Sequence, residues 1–130
     1  MMRLLLDSSV IIDVLRGRKG RRELLAELTR AGHQVATSAL NVAEIYAGMR
    51  SSERSETELF LSALDCYPLT LVEARRAGQI KREWAEKGKT LSLADTIVAA
   101  TALERDCVLM TDNRKDFPMR ELEQYPLNEP

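Results

Sequence analysis

The residues best suited to chemistry in this chain are carboxylates set at the ends of apolar runs. Asp7 closes Leu4-Leu5-Leu6 and is followed by Ser8, Ser9 and Val10-Ile11-Ile12. Glu44 interrupts a stretch holding Leu40, Val42, Ala43, Ile45, Tyr46, Ala47 and Met49. On a helix its polar or small companions Asn41 and Gly48 share one narrow face with it. Asp95 follows Leu91-Ser92-Leu93-Ala94, and Asp112 and Asp116 follow Val108-Leu109-Met110-Thr111. Each acid has an ordinary structural use: Asp7 as a helix N-cap, Asp95 in a capping-box arrangement with Ser92. Gathered together they would repel one another unless compensated. A hard divalent cation with oxygen ligands is the usual compensation. With one histidine, His33, and two cysteines in the whole chain, the set suits Mg²⁺, or Mn²⁺ in its place, rather than zinc. Such an ion lowers the pKa of a water and offsets charge in phosphoryl transfer. Ser9 is placed to orient a carboxylate or a water beside it.

The elements that must position these acids follow from periodicity. Apolar runs near 3–7, 33–37, 66–71 and 107–111 read as strands, the first and last buried on both faces. Helices are predicted over 8–16, 20–31, 38–50, 55–64, 72–87 and 93–105. The apolar circumference of 38–50 predicts a largely buried helix, the run 107–111 a central strand, and Pro68 either an edge position or the first residues of its strand. Alternating strands and helices give an α/β fold, a central parallel sheet of four to five strands with helices on both faces. Parallel strands bring Asp7 and the 112–116 loop to one rim, where open α/β sheets bind ligands.

Composition narrows the class. At 130 residues, 45% hydrophobic and 30% charged, the chain reads as one domain over 1–130, with a short terminal element and tail over 118–130. No apolar run reaches membrane-span length, and the short run after Arg3 is too brief for a secretory leader. Cys66 and Cys107 lead into apolar runs and are expected as buried thiols in a reduced, cytoplasmic protein. Net charge is −1, so any nucleic-acid contact must come from local clusters. Arg16, Arg18, Lys19, Arg21 and Arg22 form one cluster, and Arg114 and Lys115 lie in the last acidic loop. These are candidate contacts to a phosphate backbone. Aromatics are 5% of the chain, too sparse for a base-stacking platform.

Four stretches resemble the motifs of PIN-domain ribonucleases: Leu5-Leu6-Asp7-Ser8-Ser9-Val10-Ile11-Ile12-Asp13, Asn41-Val42-Ala43-Glu44-Ile45-Tyr46-Ala47-Gly48, Leu93-Ala94-Asp95-Thr96-Ile97-Val98-Ala99-Ala100, and Met110-Thr111-Asp112-Asn113-Arg114-Lys115-Asp116-Phe117. They occur in order over 4–117, with a spacing similar to the VapC toxins of VapBC toxin–antitoxin pairs. The resemblance implies a PIN-like fold and a Mg²⁺-dependent endoribonuclease acting on transfer or ribosomal RNA. It implies Asp7, Glu44 and Asp95 as the metal-holding acids, with Asp116 the fourth in preference to Asp112. Ser9, Thr111 and Asn113 would stand around them. It also implies a homodimer silenced by a cognate antitoxin.

Other readings fit less well. A phosphoacceptor receiver domain needs an Asp at the end of a middle strand and a late-strand Lys, where this chain has Thr70-Leu71 and Thr111-Asp112. A haloacid-dehalogenase phosphatase wants Asp-x-Asp where Asp7-Ser8-Ser9 stands. A binding-only PIN domain would have shed acids that are all present here.

Overall fold

In the computed structural model, which describes residues 1–127, four parallel strands form one sheet in the order β3-β2-β1-β4. They are β1 (Arg3–Leu6), β2 (Gln34–Ser38), β3 (Asp65–Tyr67) and β4 (Val108–Met110). The predicted tail beyond residue 127 lies outside the described residues. Six helices connect and cover the strands: α1 (Ser8–Leu15), α2 (Arg21–Arg30), α3 (Ala39–Gly48), α4 (Arg54–Ser62), α5 (Leu71–Glu86) and α6 (Leu93–Glu104).

β1 divides the core. Successive strand residues point to opposite faces. Leu5 therefore joins Ala77, Ile80, Val98, Ala99, Leu109 and Phe117 on the α5–α6 side. Leu4 and Leu6 join Val10, Leu25, Leu28 and Leu61 on the α1–α2–α4 side. All three leucines are fully buried. The small residues Ala99, Ala100 and Ala102 of α6 are also fully buried, and α6 packs along α5.

Four expectations are corrected. β4 is not central among the four strands: it flanks β1, pairing Leu6 with Met110. Its outer edge takes a single bridge, Leu109 to Gln124, so burial on both sides rather than central position makes it apolar. β3 stops at Tyr67, because Pro68 cannot donate to a ladder, and it is the edge strand. α3 is not largely buried: only Asn41 and Ile45 are, and Tyr46 is 39% exposed. Its alanines contributed to the apolar count without having a neighbour to cover them. Cys66 is exposed on the edge strand, Cys107 is buried, and both thiols are free.

The register aligns the carboxyl ends of the strands. Leu6 pairs with Met110, Ser38 with Tyr67, and the Asp7 amide donates to the Met110 carbonyl at 3.0 Å. The starts of α1, α3, α5 and α6 consequently lie along one rim. Leu5→Ala removes a side chain packed on both α5 and α6, and is expected to cost about 2–5 kcal/mol, read as a lower urea midpoint.

Candidate active site

Asp7 is where the strand ends and the site begins. It serves as the N-cap of α1, accepting from the Ser8 amide at 2.9 Å. Its other oxygen accepts from the Thr111 hydroxyl at 2.7 Å, across the sheet from the end of β4. The capping role and the site role are thus compatible in one side chain. The Thr111 oxygen in turn accepts from the Asn113 amide at 3.0 Å. The Ser9 hydroxyl accepts from the Asp112 amide at 3.4 Å, a second stitch between the β1 and β4 loops.

Glu44 comes from α3. It is exposed, yet it accepts from the Ser8 hydroxyl at 2.7 Å and from the Asn41 side chain at 3.4 Å. Asp95 lies in the first turn of α6, whose N-cap Ser92 accepts from the Asp95 amide at 3.0 Å. Asp116 ends a single 3₁₀ turn, Arg114–Asp116, that follows the β4 loop.

Electrostatics tie these acids together. Burial raises the pKa of Asp7 above its ordinary value; hydrogen bonds from Thr111, Ser8 and Asn41 pull it back, and Glu44 pushes it up. Burial likewise raises Asp95, the Ser92 contact opposes it, and the charges of Asp116 and Asp7 add to the rise. Among the described residues, none of Asp7, Glu44, Asp95 and Asp116 is ion-paired with Lys or Arg. As the side chains stand, no three His, Cys, Asp or Glu groups among the described residues close on one point tightly enough to hold an ion. The donor chemistry nonetheless fits a hard divalent cation: oxygen ligands only, unpaired with cations, two of them, Asp7 and Asp95, disfavoured as anions by burial.

Asp112 belongs to a different constellation. Arg21 donates to its Oδ1 at 2.7 Å, and Lys19 lies 3.6 Å from Oδ2 and 3.7 Å from Asp13. Gly17, Lys19 and Gly20 adopt left-handed backbone, which folds this loop back over α1. Burial and the facing Asp112 raise the Asp13 carboxyl; burial also pushes Asp112 up, but Arg21, Asp13 and Lys19 together hold it below its ordinary value. Of the two, Asp13 is the one whose surroundings favour the protonated form.

The basic candidates separate. Arg21 is buried, 4% exposed, and committed to Asp112, so it is not on a surface that RNA could reach. That overturns its expected role. Lys19 is half engaged by Asp13 and Asp112. Arg16 pairs with Glu53, Arg22 donates to the Val14 carbonyl and Arg114 to the Tyr125 carbonyl. Arg18 and Lys115 are exposed, with no side-chain partner among the described residues. Sequence reasoning missed Asn41, fully buried and bonded to two of the acids, and Asp13. The signal for Asn41 was its i, i+3 spacing to Glu44; Asp13 showed only as a lone acid in an apolar helix.

Because Asp95 holds its proton to higher pH when folded, the unfolded chain ionises first above the ordinary value of 3.8, and folding weakens as pH rises through that window. Without divalent ions, Asp95→Asn is therefore expected to gain on the wild type in urea midpoint as pH rises above the ordinary carboxylate value. A gap constant across that rise would show that Asp95 is not destabilised by its surroundings.

Comparison with known proteins agrees with this geometry. The PIN domain family model matches residues 4–121. Ribonuclease VapC10 of Mycobacterium tuberculosis is 37% identical over 127 residues, 98% of this chain and 95% of the relative. Ribonuclease VapC19 of the same organism is 36% identical over 115 residues, 88% and 92% respectively. The crystal structure of VapBC2 from Rickettsia felis, bound to a fragment of promoter DNA, superposes with a TM-score of 0.86 at 21% identity, covering 95% of this chain and 98% of that one. The acids gathered at the sheet rim stand inside a match that runs almost end to end, and the chain belongs to the PIN-domain family, among the VapC ribonucleases of toxin–antitoxin systems.

Proposed function

We propose that this protein is a Mg²⁺-dependent endoribonuclease, the toxin of a toxin–antitoxin pair, that hydrolyses phosphodiester bonds in transfer or ribosomal RNA. One observation carries the reading: Asp7 and Asp95 from the starts of α1 and α6, Glu44 from the middle of α3 and Asp116 from the turn after β4 have, among the described residues, no cationic partner. These four residues would hold the ion, Mn²⁺ serving as a substitute. Bound there, it would supply an acidified water and positive charge for the phosphoryl transition state. Thr111 and Ser8 fix the carboxylates they touch, and Ser9 and Asn113 hold the β4 loop in place. Arg18, Lys115 and the partly engaged Arg16, Lys19, Arg22 and Arg114 would contact phosphates. With so few exposed aromatics, recognition would rest on RNA shape and looped-out segments.

The partners proposed are a cognate antitoxin and a second copy of the chain. An open groove of about 650 Å³ runs between α2, β2 and α4, lined by Val14, Leu25, Val35, Phe60 and Leu64 with Arg22 and Asp65 at its sides. It supports antitoxin docking. Exposed Tyr46, Leu71, Val72 and Leu93 on the helices, with Leu69 in the loop before α5, support a dimer contact. No helix among the described residues is long and apolar enough to cross a membrane, in keeping with a cytoplasmic site of action.

RNA should be cut by the wild type with Mg²⁺ and not with EDTA, leaving 5′-phosphate and 3′-hydroxyl ends. Asp95→Asn should lower kcat/KM by more than about a hundredfold while still unfolding cooperatively, because it removes charge the reacting centre depends on. Cleavage that survives both EDTA and the substitution would falsify the assignment. Light scattering at micromolar concentration should give twice the mass of one chain; a single-chain mass sinks the dimer.

A further inference from the structure

Asn41 stands one turn before Glu44 on α3, fully buried, where a polar side chain must be hydrogen-bonded to be tolerated. Its Nδ2 lies 3.0 Å from the Ser8 hydroxyl, 3.1 Å from Asp7 Oδ1 and 3.4 Å from Glu44 Oε1. Its Oδ1 accepts from the Ser38 hydroxyl at 2.6 Å, and the Ser38 oxygen accepts from the Asn41 amide at 3.2 Å. These partners fix which end of the amide points where. Turned over, its oxygen would face two carboxylates, acceptor against acceptor. Ser8 closes the ring by donating to Glu44.

We infer that Asn41 is a positioning residue: its side-chain amide ties the Asp7 and Glu44 carboxylates, from different elements, into one unit. The need for such a tie is physical. The two acids repel each other, and Glu44 is an exposed side chain with three free torsions. A donor held rigidly between them, oriented by the Ser38 hydroxyl, draws Glu44 inward toward Asp7 and offsets their repulsion without introducing a cation. A carboxylate at position 41 could not do this, since it presents only acceptors to acceptors. An apolar residue of the same shape could fill the space but not bridge it.

The inference rests on the proposed cation-binding role of the acids only for its metal arm, so the test has two arms. In the first, Asn41→Leu, Glu44→Ala and the double variant are unfolded in urea with EDTA present. A bridging Asn41 couples to Glu44: the drop in folding constant caused by Asn41→Leu should be at least about threefold smaller once Glu44 is gone. A residue that only packs costs the same in both backgrounds. In the second arm, Mg²⁺ is titrated calorimetrically into each metal-free protein. Asn41→Leu should weaken binding by about tenfold or more, with Asn41→Ser, whose hydroxyl can still donate to one acid, recovering part of it. Should Asn41→Leu not fold, Asn41→Ser takes its place in the cycle. Additive costs in the cycle, or a folded Asn41→Leu protein that binds Mg²⁺ as tightly as the wild type, overturn the inference. A wild type that binds no divalent ion overturns the cation reading instead, and the cycle then decides the role of Asn41 alone.

Discussion

A buried carboxylate at the end of a buried strand is the constraint around which this molecule is built. Asp7 is 6% exposed and sits directly after three fully buried leucines. An ionised group in that position must be hydrogen-bonded from several sides or it will not stay charged. The donors come from the start of α1, the first turn of α3 and the end of β4. Satisfying one side chain therefore fixes three elements relative to one another. The parallel register that brings their ends together is what makes the arrangement reachable.

The same logic separates two acidic groups that look alike in sequence. Asp112 and Asp13 are compensated internally, by Arg21 and Lys19. Asp7, Glu44, Asp95 and Asp116 are not, and two of them are pushed toward the protonated form by burial and by each other. Structural acids in this fold have found partners. Asp7 and Asp95 are held at an energetic disadvantage as anions, a feature that the proposed cation site would use and a scaffold would not need.

Much of this was legible from residue order. The leucine run of β1 and the Ser92 cap of α6 announce where Asp7 and Asp95 lie, because strand ends and helix starts follow local rules. The ranking of Asp116 above Asp112 rests on motif spacing; the ion pairs of Asp112 with Arg21 and Lys19 are not visible at that level. What stayed hidden depends on residues far apart in the chain. Nothing local to Arg21 says that it reaches Asp112, ninety-one residues away. The exposure of α3 could not be read either, since periodicity shows that a face is apolar but not whether anything covers it. Cys66 was misread for the same reason: an apolar run is not an interior one when its strand lies at the sheet edge.

The loop between α1 and α2 has a consequence for how strongly this surface responds to ionic strength. Five cations in seven residues suggest a binding arm with a steep dependence on salt. Yet Arg21 is sealed against Asp112, and Lys19 is shared between Asp13 and Asp112, so these two charges are already neutralised before any polyanion arrives. Each phosphate neutralised on a single strand contributes a slope of about 0.7 to the fall of log affinity with log salt, and only cations that release counterions count. For the proposed RNA contact the net effect would be a shallow salt response for so basic a segment. Association would be governed more by fit to a folded RNA than by long-range attraction, as suits a protein whose total charge is close to zero.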